Sequence, residues 1–199
     1  MARPATAEPT LIELPAPRLT GSVSVEKALA ERRSRRTQAK TPLSRAELGQ
    51  LLWAAQGITD DKGHRTAPSA GARYPLEIYV LVAVGVFHYM PRRHALQQLS
   101  AAALRDTAPD LYARPRLRDS TVFIISGVVE RTRKRDGSRA ERFVDMEAGA
   151  AGQNILLEAV ALGLVAVPVG AFDGPRVAGK PHWRGTPVYA VIVGHPPPR

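Results

Sequence analysis

Met146-Glu-Ala-Gly-Ala-Ala-Gly-Gln-Asn-Ile-Leu-Leu-Glu-Ala-Val-Ala-Leu162 is the stretch that decides the fold. Ala, Leu and Ile lie on nearly every side of the helix this run predicts, so the helix is expected to be central, with neighbours all round. Gly163 ends it, and residues 164–167 follow as a short strand leading into Pro168.

Outward from this helix, residues 78–84 and 121–129 (TVFIISGVV) are apolar runs of strand length and predict buried strands. Gly85 predicts a turn into a strand over 86–90, and residues 187–193 predict the last strand. A first helix is expected after Ser24, its N-cap, with Lys27 and Glu31 paired at i, i+4. Ser44 and Glu47 form a capping box opening a second helix, which stops at Gly57. Residues 94–106 read as helical, 130–142 as a basic polar stretch, and 58–75 as a long loop of the kind that is usually functional. Strands and helices alternate unevenly, so the class is α+β, a central sheet with helices packed on it. Residues 1–20 are Pro-interrupted and read as an arm on the surface or on a partner; residues 21–199 form one domain.

The 199 residues contain no cysteine, which removes thiolate metal sites and thiol nucleophiles and leaves any redox chemistry to a cofactor. The formal net charge of +10 attracts polyanions. It comes mainly from arginine in a chain rich in Ala, Pro and Arg. Aromatic residues make up only 6% and no basic nucleic-acid motif is present, so a nucleic-acid module is the lesser alternative and no nucleic-acid partner is expected. No apolar run is long enough to span a bilayer, and the N-terminus lacks the continuous apolar core of a signal peptide; a cytoplasmic protein is expected.

Two motifs come close and fail. Gly174 to Lys180 follows the phosphate-loop pattern until Pro181 stands where Ser or Thr should hold magnesium. Ala67-Pro68-Ser69-Ala70-Gly71 resembles a hydrolase elbow, yet it leads into a strand rather than a helix. The five histidines, His64, His88, His94, His182 and His195, lack metal-ligand spacing; they read as surface or capping residues, and no metal is expected.

Arg32-Arg33-Ser34-Arg35-Arg36 directly follows the first helix. Cations offset the negative end of a helix dipole, but so many in succession call for an anion. Guanidinium forks and a hydroxyl suit a phosphate monoester. This run, Pro68-Ser69-Ala70-Gly71 followed by Tyr74-Pro75-Leu76-Glu77, and the segment from Ala161 through Pro168, Val169, Gly170 and Ala171 to Asp173 together resemble the flavin-dependent nitroreductase family. The closest resemblance within it is to SagB-type dehydrogenases, over about residues 20–196.

The resemblance implies a central mixed or antiparallel sheet flanked by helices, in an intertwined homodimer with FMN at the subunit interface. It places the FMN phosphate on Arg32, Arg33, Ser34 and Arg36. Pro68, Ser69, Ala70 and Gly71 would reach the flavin ring from the other subunit. Pro168, Val169, Gly170 and Ala171 would lie at the ring, with the Gly170 backbone N–H facing the flavin N5. Small residues at 70, 71, 170 and 171 suit close backbone approach to a flat ring. The implied activity is hydride transfer from NAD(P)H through the flavin to an electron-poor small molecule, a nitroaromatic or a quinone. The alternative is dehydrogenation of a biosynthetic intermediate, with Arg73, Tyr74 and the basic 131–142 stretch near the substrate. Azoline-oxidising relatives carry a Lys-Tyr pair where this chain has Arg135-Asp136, and a histidine where it has Ala150. Arg73 replaces a usually apolar residue, and residues 179–186 are shorter than in relatives.

Overall fold

Alternating side chains on its central strands give the protein two cores, one on each side of a single sheet. The computed structural model describes residues 10–101, 120–174, 177 and 183–198. In chain order these form β1 (Leu11–Glu13), α1 (Val25–Glu31), α2 (Arg45–Gln56), a 3₁₀ turn (Ala70–Ala72), β2 (Leu76–Val82), β3 (Gly85–Met90) and β4 (Ala95–Ser100). There follow β5 (Thr121–Gly127), α3 (Glu130–Asp136), α4 (Ala140–Ala161), β6 (Val165–Val169) and β7 (Thr186–Gly194). The strand order is β1-β4-β3-β2-β5-β7-β6, and every neighbouring pair is antiparallel. The expected α+β class therefore stands, and its sheet is antiparallel rather than mixed.

Ile78 and Val80 of β2, Phe123 and Ile125 of β5, and Val191 and Val193 of β7 face the helices. There they pack with Leu51 and Leu52 of α2 and Ala148, Ala151 and Ile155 of α4. Tyr79, Leu81, Val122, Ile124 and Ile192 form a second core on the opposite face. β5 is buried at every position, as expected for a strand covered on both sides. The Trp183 ring stacks on Tyr79 with centroids 3.9 Å apart and helps to cover that face.

α2 starts where its capping box predicts. The Ser44 hydroxyl accepts from the Glu47 N–H at 3.2 Å, and the Ser44 N–H donates to the Glu47 carboxylate at 2.7 Å. Ser44→Ala is expected to cost about 1 kcal/mol, read as a lower urea midpoint at unchanged slope.

Three expectations are corrected. Residues 95–100 of the expected 94–106 helix form β4; Ala, Leu and Gln favour a helix, but pairing with β3 and β1 overrides that propensity. Residues 102–106 lie outside the described residues. The 130–142 stretch is not a plain polar segment: it folds as α3, a 3₁₀ turn and the start of α4, which begins at Ala140. His88 is buried and hydrogen-bonded to Glu77 at 2.6 Å, not a surface or capping residue. Of the expected arm, residues 11–13 are paired to β4 at the sheet edge, and residues 1–9 lie outside the described residues. The phosphate-loop-like residues 175–176 and 178–180 also lie outside them, as does His182.

β6 is an edge strand containing Pro168. The Ala166 carbonyl faces away from β7, since it accepts from the Arg35 N–H at 2.9 Å. Pro168 shares its parity, so the missing N–H falls on the outer edge and removes no bond to β7.

Candidate functional site

The arginine segment is held against that outer edge. Ser24 caps α1 by accepting from the Lys27 N–H at 3.2 Å, and α1 ends at Arg32. The Arg33 guanidinium donates to the Ala30 and Arg32 carbonyls at 2.9 and 2.8 Å, so part of this run does offset the negative end of the helix. Ser34 then bridges Ala166 in parallel. Arg32, Arg33 and Arg35 line a cavity of about 400 Å³ closed by the C-terminal turn of α4 and by residues 163–166. The C-terminal ends of α1 and α4 both meet this cavity, so any anion there must be held by guanidinium groups. Arg36 is exposed and does not line the cavity, whereas Arg35, the unassigned position of the sequence motif, does.

β6 carries the chain from Ala166 through half-buried Pro168 and buried Val169 to exposed Gly170 and Ala171. A Cβ built at Gly170 meets nothing within 4 Å, so open space lies beside this backbone.

The loop carrying Pro68, Ser69, Ala70 and Gly71 lies elsewhere. Gly71, Ala72 and Tyr74 have φ of 59°, 52° and 46°, a left-handed conformation that only glycine adopts cheaply. The Ser69 hydroxyl accepts from the Tyr74 N–H at 2.8 Å, which helps to close the turn. The Arg135 guanidinium packs where a side chain at 71 would be and would have to move aside for one, while the φ of 59° strains any residue there but glycine. Arg73 is exposed. Tyr74 is half-buried, with the Arg65 guanidinium 4.6 Å from its ring centroid, and its carbonyl accepts from Arg131 at 3.3 Å. The loop contacts Glu147, near the start of α4, whereas the arginine cavity lies at Ala159 and Val160 near its end. Thirteen helical residues separate the two, roughly 20 Å along the axis.

Two buried carboxylates behave in opposite ways. Burial would raise the Glu77 pKa, but hydrogen bonds from His88 and Arg131 outweigh it and hold the carboxyl at about 2. Glu147 is pushed up to about 7 by burial, pulled back only in part by Ser69, Gln56 and the charge of Arg65. Glu147 escaped the sequence reading, because nothing local sets it apart from Glu141, Asp145 and Glu158 of the same helix. Within the basic 131–142 stretch, Arg131 pairs with Glu77, and Arg133 pairs with Glu130 and Glu141. Among the described residues no group of three or more His, Cys, Asp or Glu is placed to hold a metal, and no helix is long and apolar enough to cross a membrane.

An antiparallel sheet with α2 and α4 on one face is an α+β arrangement met in many solved structures. A Ralstonia eutropha JMP134 protein named as a nitroreductase superposes with a TM-score of 0.82 at 26% identity, covering 95% of this chain and 90% of its own. A Desulfovibrio desulfuricans protein solved in complex with FMN superposes with a TM-score of 0.61 at 23% identity, covering 87% of each chain, and supports the fold alone. In sequence, a Methanocaldococcus jannaschii protein named as a nitroreductase is 41% identical over 165 residues, 75% of this chain and 80% of that protein. The nitroreductase family description matches residues 29–195, and the chain belongs to that family.

Proposed function

We propose that this chain is an FMN-dependent oxidoreductase that works as a homodimer. One arrangement carries the reading: the arginine segment is hydrogen-bonded to the same strand that leads to the open backbone at Gly170. The donor set fits the cofactor. Arg32, Arg33 and Arg35 offer charge-assisted bonds to a phosphate, with Ser34 and Arg36 beside them. Pro168, Val169, Gly170 and Ala171 offer backbone with little side-chain bulk to a flat ring.

Bound FMN supplies hydride acceptance from NADH or NADPH at N5 and delivery to an electron-poor acceptor of nitroaromatic or quinone type. The chain's task is to hold the ring and shield it. The Gly170 N–H is the donor we assign to the N5 side, stabilising charge that develops there. The separation of the Pro68–Gly71 loop from the arginine cavity within one subunit supports a loop that serves the partner's flavin. Membership of the nitroreductase family adds support for the redox reading. Arg73, exposed at the end of that loop, is the cation we assign to substrate.

The purified protein, mixed with FMN and desalted, is expected to retain an oxidised-flavin absorbance spectrum. Anaerobic NADH or NADPH should bleach it, and initial rates against an acceptor quinone should give parallel double-reciprocal lines. A protein that holds no FMN would overturn the assignment. Retained flavin that neither nucleotide bleaches would move it to the SagB-type alternative, in which the flavin oxidises a biosynthetic intermediate.

A further inference from the structure

Five residues, through side chains and two backbone N–H groups, close a ring of hydrogen bonds around the Pro68–Gly71 loop. Gln56, fully buried at the end of α2, donates from Nε2 to Glu147 Oε1 at 3.4 Å and accepts at Oε1 from Arg65 Nη1 at 2.8 Å. The Arg65 N–H donates to the Tyr74 hydroxyl at 3.3 Å, and the Tyr74 N–H donates to the Ser69 hydroxyl at 2.8 Å. Ser69 closes the ring on the Glu147 carboxyl, which is 3% exposed. The ring ties α2 and α4 to a turn that holds two non-glycine residues, Ala72 and Tyr74, at positive φ. Such a conformation persists only where its surroundings over-determine it. Arg65 Nε is buried without a hydrogen-bond partner, so the ring carries no surplus of bonds.

We propose that Glu147 is a positioning residue: its carboxylate, through Ser69, holds the 70–74 turn in the shape that meets the flavin, and proton uptake at Glu147 loosens the turn and weakens flavin binding. The second half of this inference rests on the flavin reading above; the coupling of Glu147 to the turn does not.

The direction follows from the bonds. Ser69 and Gln56 both donate to Glu147, and a donor bonds a carboxylate about twice as strongly as a neutral carboxyl. By linkage, the state that makes these bonds best is the ionised one. The charged groups that face the ring are Arg65 and, beside it, Glu77 and Arg131, with Arg135 on the outer side at Gly71. Glu77 holds its charge down to about pH 2, so Glu147 is the carboxylate of this set that changes charge near neutrality.

The test measures amide hydrogen exchange at residues 70–74 of the cofactor-free protein from pH 6 to 8.5, corrected for intrinsic rates. The FMN dissociation constant is measured over the same range for wild type, Glu147→Gln and Ser69→Ala. In wild type, protection of the turn and FMN affinity are each expected to rise roughly fivefold with pH in one step. In Glu147→Gln the exchange step should vanish, and affinity should keep only the change that comes from the FMN phosphate itself. Ser69→Ala, which removes one hydroxyl from a half-buried site, should lose the same step and carries the test if Glu147→Gln does not fold. An unchanged step in a folded variant, or no step in wild type, would overturn the proposal. A wild type that shows the exchange step but binds no FMN at any pH would uphold the coupling and overturn the flavin reading.

Discussion

Alanine at Arg32 is expected to weaken FMN binding roughly tenfold to a hundredfold, the loss of one or two charge-assisted hydrogen bonds. Arg35→Ala should fall in the same range, because its side chain lines the same cavity. Arg36→Ala should cost less, since this exposed residue lies outside the lining. Riboflavin, which lacks the phosphate, should bind all three variants as it binds wild type. Titration of flavin fluorescence measures each constant. A riboflavin affinity that falls in parallel with that for FMN would mean the arginines support the fold rather than the phosphate. An Arg36→Ala loss larger than that of Arg35→Ala would place the anion at the far end of the run.

Glu147→Gln is expected to stabilise the protein by up to about 3 kcal/mol at pH 8 and by little at pH 5. The Glu147 carboxyl titrates at about 7 in the folded chain against an ordinary value of 4.5. The folded state therefore holds this proton more tightly than the unfolded one. Between pH 4.5 and 7 the folded state binds more protons, so stability falls as pH rises through that window. Glutamine cannot lose a proton and removes the fall. Urea midpoints at the two pH values, compared between variant and wild type, read the difference. An equal effect at both would show that burial of charge is not what Glu147 costs the fold. Stability and positioning thus pull in opposite directions at this residue: ionisation strains the fold while tightening the turn.

Much of the fold was legible from local signals. The capping box at Ser44 and Glu47, the apolar runs of β2 and β5, and the body of α4 needed no knowledge of partners. β4 did not yield to such reading, because its residues favour a helix and the pairing that overrides them comes from β3 and from β1, some eighty residues earlier. α3 was hidden for another reason. It carries charge at nearly every position and buries only Thr132, so no apolar period marks it. The first turn of α4 offers Ala140 and Val144 alone to the core among Glu141, Arg142 and Asp145, which moved its apparent start six residues late.

The candidate site divides along the same line. The arginine run, the Pro68–Gly71 loop and the Gly170 segment are contiguous motifs and could be found in the sequence. The Arg65–Gln56–Glu147 circuit could not, since Gln56 and Glu147 stand 91 residues apart and nothing local distinguishes either from a solvated polar residue. Arg35 was passed over because a motif assigns roles by spacing, whereas the edge of β6 decides which side chains turn into the cavity.

That edge also acts as a length gauge. Arg35 is pinned at Ala166, and Gly170 lies four residues further along the same chain. At the rise of an extended strand this is roughly 13 Å, fixed by backbone rather than by the reach of any side chain. A molecule that engages both the guanidinium groups and the Gly170 backbone must match that span. One residue inserted into β6 would lengthen it and turn Val167 and Val169 out of the second core, so the tolerance for longer or shorter ligands is written into the strand itself.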